Sequence, residues 1–211
     1  MLPASIAQSV ERTNLSELGL AGIGCFAQVF KVADTGFVIK QTFNHPVVGN
    51  LQQSEKRIYE RLGPHSYILR YYGEYCGGGS LLGGLTWPVQ AAEALRFIHS
   101  KNVIHSDFGS HNFLVQRDGN LALADFGGSR IDDDMAVMSY STRYSRADCD
   151  PDVSTEADDT FALGTLLYEI IVGHPLYAVR QSKDIRKLLK LRKFPDLAIV
   201  PQNFRMVIHK C

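Results

Sequence analysis

The 211-residue sequence has no surplus of either charge, since 22 Lys and Arg balance 22 Asp and Glu. With no global field, nothing would draw the whole molecule onto nucleic acid or an anionic membrane, and any polyanion must be met locally. Cysteine is scarce. Cys25, Cys76, Cys149 and Cys211 are far apart and form no CxxC pair, which excludes a disulfide framework and points to reduced thiols in a cytoplasmic setting. No apolar run opens the chain. The longest one, FALGTLLYEIIVG at 161–173, contains Glu169 and falls short of the roughly 20 residues that a bilayer span requires. No membrane segment, targeting signal or internal repeat is expected, and His45, His65 and His174 lack metal-ligand spacing.

What is present is glycine punctuation followed by helical periodicity. From Leu18 to Phe43, LGLAGIGCF, QVFKVAD and GFVIKQTF predict three antiparallel strands. GNLQQSEKRIYERLGP predicts a helix capped by Asn50 and Gln53 and stopped by Gly63 and Pro64, with Leu51, Ile58 and Leu62 facing inward. Glu55 falls on that same stripe, and a carboxylate there needs a partner. YILRYYG at 67–73 reads as a further strand. EYCGGGSLLGGLT at 74–86 carries five glycines, which oppose regular structure by about 2.5 to 5 kcal/mol in all, so it reads as a linker. WPVQAAEALRFIHSKN predicts a helix ending near Asn102, with Val89, Ala92, Leu95 and Ile98 on one face. FLVQ and LALA flank Asp118 and Gly119 as a hairpin over 113–124. Thr155 and Asp158 cap a mostly apolar helix, SKDIRKLLKLRKFPD is a basic amphipathic segment that reads as a solvated face, and no closing helix is expected before HKC.

GIGCFAQV at 22–29 suits a strand-turn-strand loop whose backbone N–H groups approach a phosphate; a glycine-rich hairpin with no ligand fits equally well. In GFVIK the period of two puts Val38 and Lys40 on one face. Lys40 either pairs with Glu55, the two together holding a triphosphate, or reaches out to solvent. Two near-identical stretches follow, SDFGS at 106–110 and ADFGG at 124–128. Asp107 sits on a loop after His105, with Asn112 five residues on, which fits a base taking a hydroxyl proton beside a magnesium ligand. Asp125, at a strand end before Gly127 and Gly128, fits the magnesium ligand. On that reading the Phe-Gly after Asp107 is a coincidence.

GIGCFAQV, VIK, Glu55, IHSDFGSHN, ADFGG and DTFALGTLLYEIIVG occur in the order of the eukaryotic protein kinase family, and the chain resembles kinase-like proteins of filamentous fungi from about Leu18 to its C-terminus. The resemblance implies an α+β, bilobal kinase-like fold, incomplete, with a small antiparallel-sheet N-lobe carrying one helix and a mainly helical C-lobe. Its division would be an N-terminal extension at 1–17, an N-lobe at 18–73, a shortened linker replacing the hinge at 74–86 and a truncated C-lobe at 87–211. It further implies ATP and Mg²⁺ as cofactors, with a protein as substrate or binding partner. Gly22, Ile23, Gly24 and Ala27 would form the phosphate lid, and Val29, Val38 and Leu114 the adenine slot. Lys40 would grip the phosphates and Glu55 orient it, with Asp107 as catalytic base and Asn112 and Asp125 as metal ligands. Asp159 would hold the backbone at His105 and Ser106, unless it is a plain helix-start charge like Asp158.

Several positions depart from the family. Ser106 stands where arginine usually precedes the catalytic aspartate, which removes the partner of an activation-segment phosphate at Ser141, Thr142 or Tyr144. Gly109 stands where serine/threonine kinases have lysine, and His111 where tyrosine kinases have arginine, so the hydroxyl class stays open. RADCDPD replaces Ala-Pro-Glu, and IDDDM at 131–135 reads as an exposed activation loop. The 13 residues of 74–86 span about 40 Å when extended at ~3.3 Å per residue, enough to join two lobes but not to build a strand, a hinge and a helix as well. Two readings therefore stand: a phosphotransferase acting on a protein hydroxyl, and an inactive kinase-fold binding module or shortened gene product.

Overall fold

The computed structural model describes residues 18–23, 27–31, 38–42, 51–69, 86–116, 118–150 and 153–211. The expected extension at 1–17, the linker up to residue 85, Gly24 and Asn50 lie outside the described residues. The architecture is α+β. Strands β1 (Gly19–Ile23), β2 (Ala27–Lys31) and β3 (Val38–Thr42) form an antiparallel sheet in that order, its register slipping between Leu20 and Gly22. Helix α1 (Leu51–Leu62) follows, and Leu51, Glu55, Ile58, Tyr59 and Leu62 are its buried face. It stops where glycine allows, with Gly63 at φ 63° and its N–H on the Tyr59 carbonyl.

The strand expected at 67–73 is, over its described residues, a turn with a single bridge from Ile68 to Leu123. The Tyr67 carbonyl accepts from Leu123 N–H at 2.8 Å, and the Leu123 carbonyl accepts from Leu69 N–H at 2.7 Å. This ties the segment after α1 to the larger body.

Helix α2 (Trp87–His99) begins with proline in its first turn. Its buried face includes the expected Leu95 and Ile98, with Ala92 packed beside them, but it is turned away from Val89. Trp87, Gln90, Ala91, Ala94, Leu95 and Ile98 face inward, whereas Val89 is exposed. The indole decides the orientation, because its N–H reaches the Gly119 carbonyl at 2.8 Å and its ring is the largest apolar surface on the helix. Buried Gln90 completes the join, accepting from Leu121 N–H at 2.8 Å and donating to Asn120 at 2.6 Å. The helix ends at His99, and Asn102 lies beyond it at φ 56°.

Two short ladders form the floor of the body: β4 (Val103–Ile104) with β7 (Arg130–Ile131), and β5 (Phe113–Val115) with β6 (Leu121–Leu123), the latter closed by Gly119 at φ 81°. Helix α3 (Glu156–Val172) starts at Thr155, whose N–H the Asp158 carboxylate accepts at 2.9 Å, and ends at left-handed Gly173. Helix α4 (Ser182–Lys190) buries Ile185 and Leu189 and leaves its basic side exposed, ending before the LRKFPD stretch. A further helix, α5 (Gln202–Ile208), corrects the expectation that none closes the chain. It was hidden because it has no fully buried residue, but Ile208 packs against the core made by α2 and α3.

Candidate active site

The register of β3 against β2 sets Lys40 opposite Val29, with Ile39 buried on the other face. Lys40 Nζ donates to Glu55 Oε1 at 2.9 Å and also to Asp125 Oδ1. Glu55, the carboxylate that disrupts the apolar stripe of α1, has found its partner. Burial alone would lower the lysine's pKa, but the two carboxylates outweigh it and raise it above the ordinary value. Asp125 is held below the usual carboxylate range, Lys40 overcoming the effect of burial. Glu55 moves the other way, because burial, reinforced by Asp125, outweighs the attraction of Lys40. One ammonium between two carboxylates leaves surplus negative charge, and the deeper carboxylate bears its cost.

Asp107 lies on a loop that Asp159 holds from below. The buried Asp159 carboxylate accepts from His105 N–H at 2.8 Å, Ser106 N–H at 3.2 Å and the Tyr140 hydroxyl at 2.6 Å, with His99 Nε2 at 2.9 Å. Ser106 sits at φ 66°, a conformation these bonds help to maintain. Asp159 is thus far more than a helix-start charge, whereas Asp158 caps the helix and pairs with Arg146 at 2.8 Å. Asn112 Nδ2 donates to the Asp107 carbonyl at 2.8 Å and to Asp107 Oδ2 at 3.3 Å. His111 Nε2 lies 3.1 Å from that same Oδ2, and this hydrogen bond raises the imidazole's pKa above its usual value against the opposing effect of burial.

The phenylalanine after Asp107 is a core residue. Phe108 is fully buried and meets Phe113 edge-on at 5.3 Å, a counterpart to Phe126, which meets Tyr59 edge-on at 5.1 Å. Glu169, the break in the long apolar run, accepts from Ser110 Oγ at 3.0 Å and from the Tyr144 hydroxyl, so α3 joins the catalytic-loop candidate to the segment after Met138.

A cavity of about 360 Å³ lies between the sheet and this loop. Of the residues expected from the sequence, Ile23, Ala27, Val29, Lys40, Asp107, Asn112 and Asp125 line it. Glu55 stands behind Lys40. Leu114 is not among the lining residues, Gly22 on β1 and Val38 on β3 are described in their backbone only, and Gly24 lies outside the described residues. Residues not singled out for the site also line it, including Leu51, His111 and Met138. Met138 is seated on Gly128, where any Cβ would fall 1.9 Å from Met138 Cγ. A second cavity, of about 340 Å³ between α3, α4 and α5, is walled mainly by aliphatic and aromatic side chains and holds none of the expected site residues. Among the described residues, no group of three or more His, Cys, Asp or Glu could hold a metal unaided, and no helix is long and apolar enough to cross a membrane.

Residues 86–211 match the family model described as "Protein kinase domain". The chain belongs to the protein kinase family. Its fold is α+β, with small antiparallel sheets and five helices among the described residues, in keeping with a kinase domain. Serine/threonine-protein kinase Aurora-1 of Arabidopsis thaliana is 27% identical, the match covering 97% of this kinase-family chain and 83% of the relative. A probable serine/threonine-protein kinase of Dictyostelium discoideum is 30% identical over 86% of the chain and 44% of the relative. Serine/threonine-protein kinase RUNKEL of Arabidopsis thaliana is 29% identical over 68% of the chain. The chain spans 13% of RUNKEL's length and less than half of the Dictyostelium relative.

Proposed function

We propose that this kinase-family chain transfers the γ-phosphoryl group of ATP to a hydroxyl of a protein substrate, in a Mg²⁺-dependent reaction. The observation that carries the reading is the convergence of Lys40, from the sheet, with Asp125 and Asp107, from the opposite side of one cavity. Lys40 binds the phosphates, and Glu55 keeps its ammonium extended into the cavity. Asp107 accepts the proton of the attacking hydroxyl. Among the described residues, Asn112 and His111 both meet its Oδ2, which leaves Oδ1 for that proton.

The donor set fits magnesium. Asp125 supplies a carboxylate, and the Asn112 amide, donating through Nδ2, leaves its oxygen for a hard cation. The surplus negative charge around Lys40 favours a cation at the same place. Bound Mg²⁺ would supply charge neutralisation of the phosphates.

Thermal unfolding with MgATP tests the reading, repeated on Lys40→Met and Asp125→Asn. Ligand at about 100 times its dissociation constant adds roughly 2.7 kcal/mol to the wild type, and both variants lose that shift. Asp107→Asn abolishes phosphate turnover. The other reading, an inactive kinase-fold binding module or a shortened gene product, is favoured by the short glycine-rich 74–86 segment; a thermal shift with no turnover would select the module, and no shift at all the shortened product.

A further inference from the structure

We propose that His111 is a positioning residue for Asp107, and that Gly109 is glycine so that the imidazole can reach it. The inference rests on the phosphotransferase reading above. His111 lies on the 3₁₀ turn Ser110–Asn112, between Asp107 and Asn112 in sequence, and its Nε2 is 3.1 Å from Asp107 Oδ2. Asn112 Nδ2 reaches the same oxygen at 3.3 Å. Two donors on one oxygen fix the rotation of the carboxylate and leave the other oxygen for the acceptor hydroxyl.

The glycine supplies an independent argument. Gly109 has φ −178°, extended backbone that any residue adopts, so its conformation does not call for glycine. Space does. A Cβ at 109 would lie 2.7 Å from His111 Cε1, 3.0 Å from its Nδ1 and 3.3 Å from Tyr144 Cζ. The ring cannot retreat freely, because Tyr144 stands edge-on to it at 6.1 Å and is itself tied to Ser110 and Glu169. A side chain at 109 would therefore push the imidazole from its present place on Asp107. The family's lysine at this position and this chain's histidine two residues later are alternative ways of furnishing the loop.

Four variants test this in the full chain: His111→Ala, His111→Gln, Gly109→Ala and the Gly109→Ala/His111→Ala double. Turnover of MgATP is read as phosphate released to water or transferred to dephosphorylated casein. His111→Ala is expected to lower kcat about 10- to 100-fold, as misplacement of a reacting group does, with KM for ATP within about twofold. His111→Gln, whose Nε2 can still donate, recovers most of the loss. Gly109→Ala falls as far as His111→Ala, and the double variant falls no further, because the second change acts only through a ring already absent. Additive losses, a glutamine variant no better than alanine, or an effect on KM alone would overturn the assignment. An inert wild type would instead overturn the phosphotransferase reading, and this inference with it. Unchanged melting temperatures across the set would exclude misfolding as the cause.

Discussion

In the β1–β3 sheet, Ala27 and Ile39 are the buried hydrophobic residues among the described side chains, while Leu20 and Ile23 are 53% and 65% exposed. Across the cavity, α2, α3 and the β5–β6 hairpin share one apolar cluster that includes Ile98, Phe113, Leu121, Phe126 and Leu166. Helix α1 belongs with that cluster through Ile58, Tyr59 and Leu62, although it follows the sheet in sequence. The body is therefore held by apolar burial. The sheet meets it through Lys40, whose ammonium lies between Glu55 on α1 and Asp125 beyond β6. The difference teaches that one side chain both joins the two regions and is the candidate phosphate ligand, so stability and function share a contact there.

The largest effect expected from breaking this comparison lies in the body. Leu166→Ala, at a site 1% exposed, should cost about 2–5 kcal/mol in chemical denaturation, from lost burial plus a cavity. Next comes Lys40→Met, which leaves Glu55 buried without its cation and should cost about 1–3 kcal/mol. Hydrogen exchange would locate that loss, with faster exchange in β1–β3 and little change in α3; uniform acceleration would show that the two regions do not separate as described.

The ends of the pH scale sharpen the same contrast. Asp158 is buried, but its bonds from Thr155 and Arg146 outweigh burial and hold its pKa down. A depressed carboxylate contributes stability above its unfolded value of about 4 and loses it as pH falls through the lower folded value. Asp158→Asn should therefore flatten the acid limb of a stability profile. Lys40 is raised, so its contribution is full below the unfolded value of about 10.4 and disappears as pH rises through the folded value. Lys40→Met should flatten the alkaline limb. The smallest effect belongs to Leu20→Ser, an exposed position that should shift stability by about 0.5 kcal/mol or less.

Much of this was legible in the sequence because local rules and tertiary needs agreed. Glu55 on an apolar stripe and Lys40 on a strand each demanded a partner, and each is the other's. The capping pair at Thr155 and Asp158 and the turn at Gly119 are short-range signals that the structure reproduces. Misreadings arose where a distant contact decided the outcome. The exposure of Val89 on α2, against the expected face that Leu95 and Ile98 do share, follows from the Trp87 indole reaching Gly119, 32 residues away. The places of Phe108 against Phe113 and of the His111 ring beside Gly109 likewise depend on tertiary contacts. Helix α5 lacks a buried stripe to reveal it. Glu169 was visible as an oddity, but its partners Ser110 and Tyr144 lie 59 and 25 residues away.

The acidic loop after β7 does not simply hang in solvent. Arg61 grips Asp132 with two bonds of 2.9 and 2.7 Å, and Arg57 reaches Asp134 at 2.9 Å. Both arginines sit on the helix that carries Glu55, and both bridges are open to water, where dissolved ions weaken them. Raising the ionic strength therefore loosens these two bridges, while Ile58, Tyr59 and Leu62 keep the same helix seated in the apolar cluster.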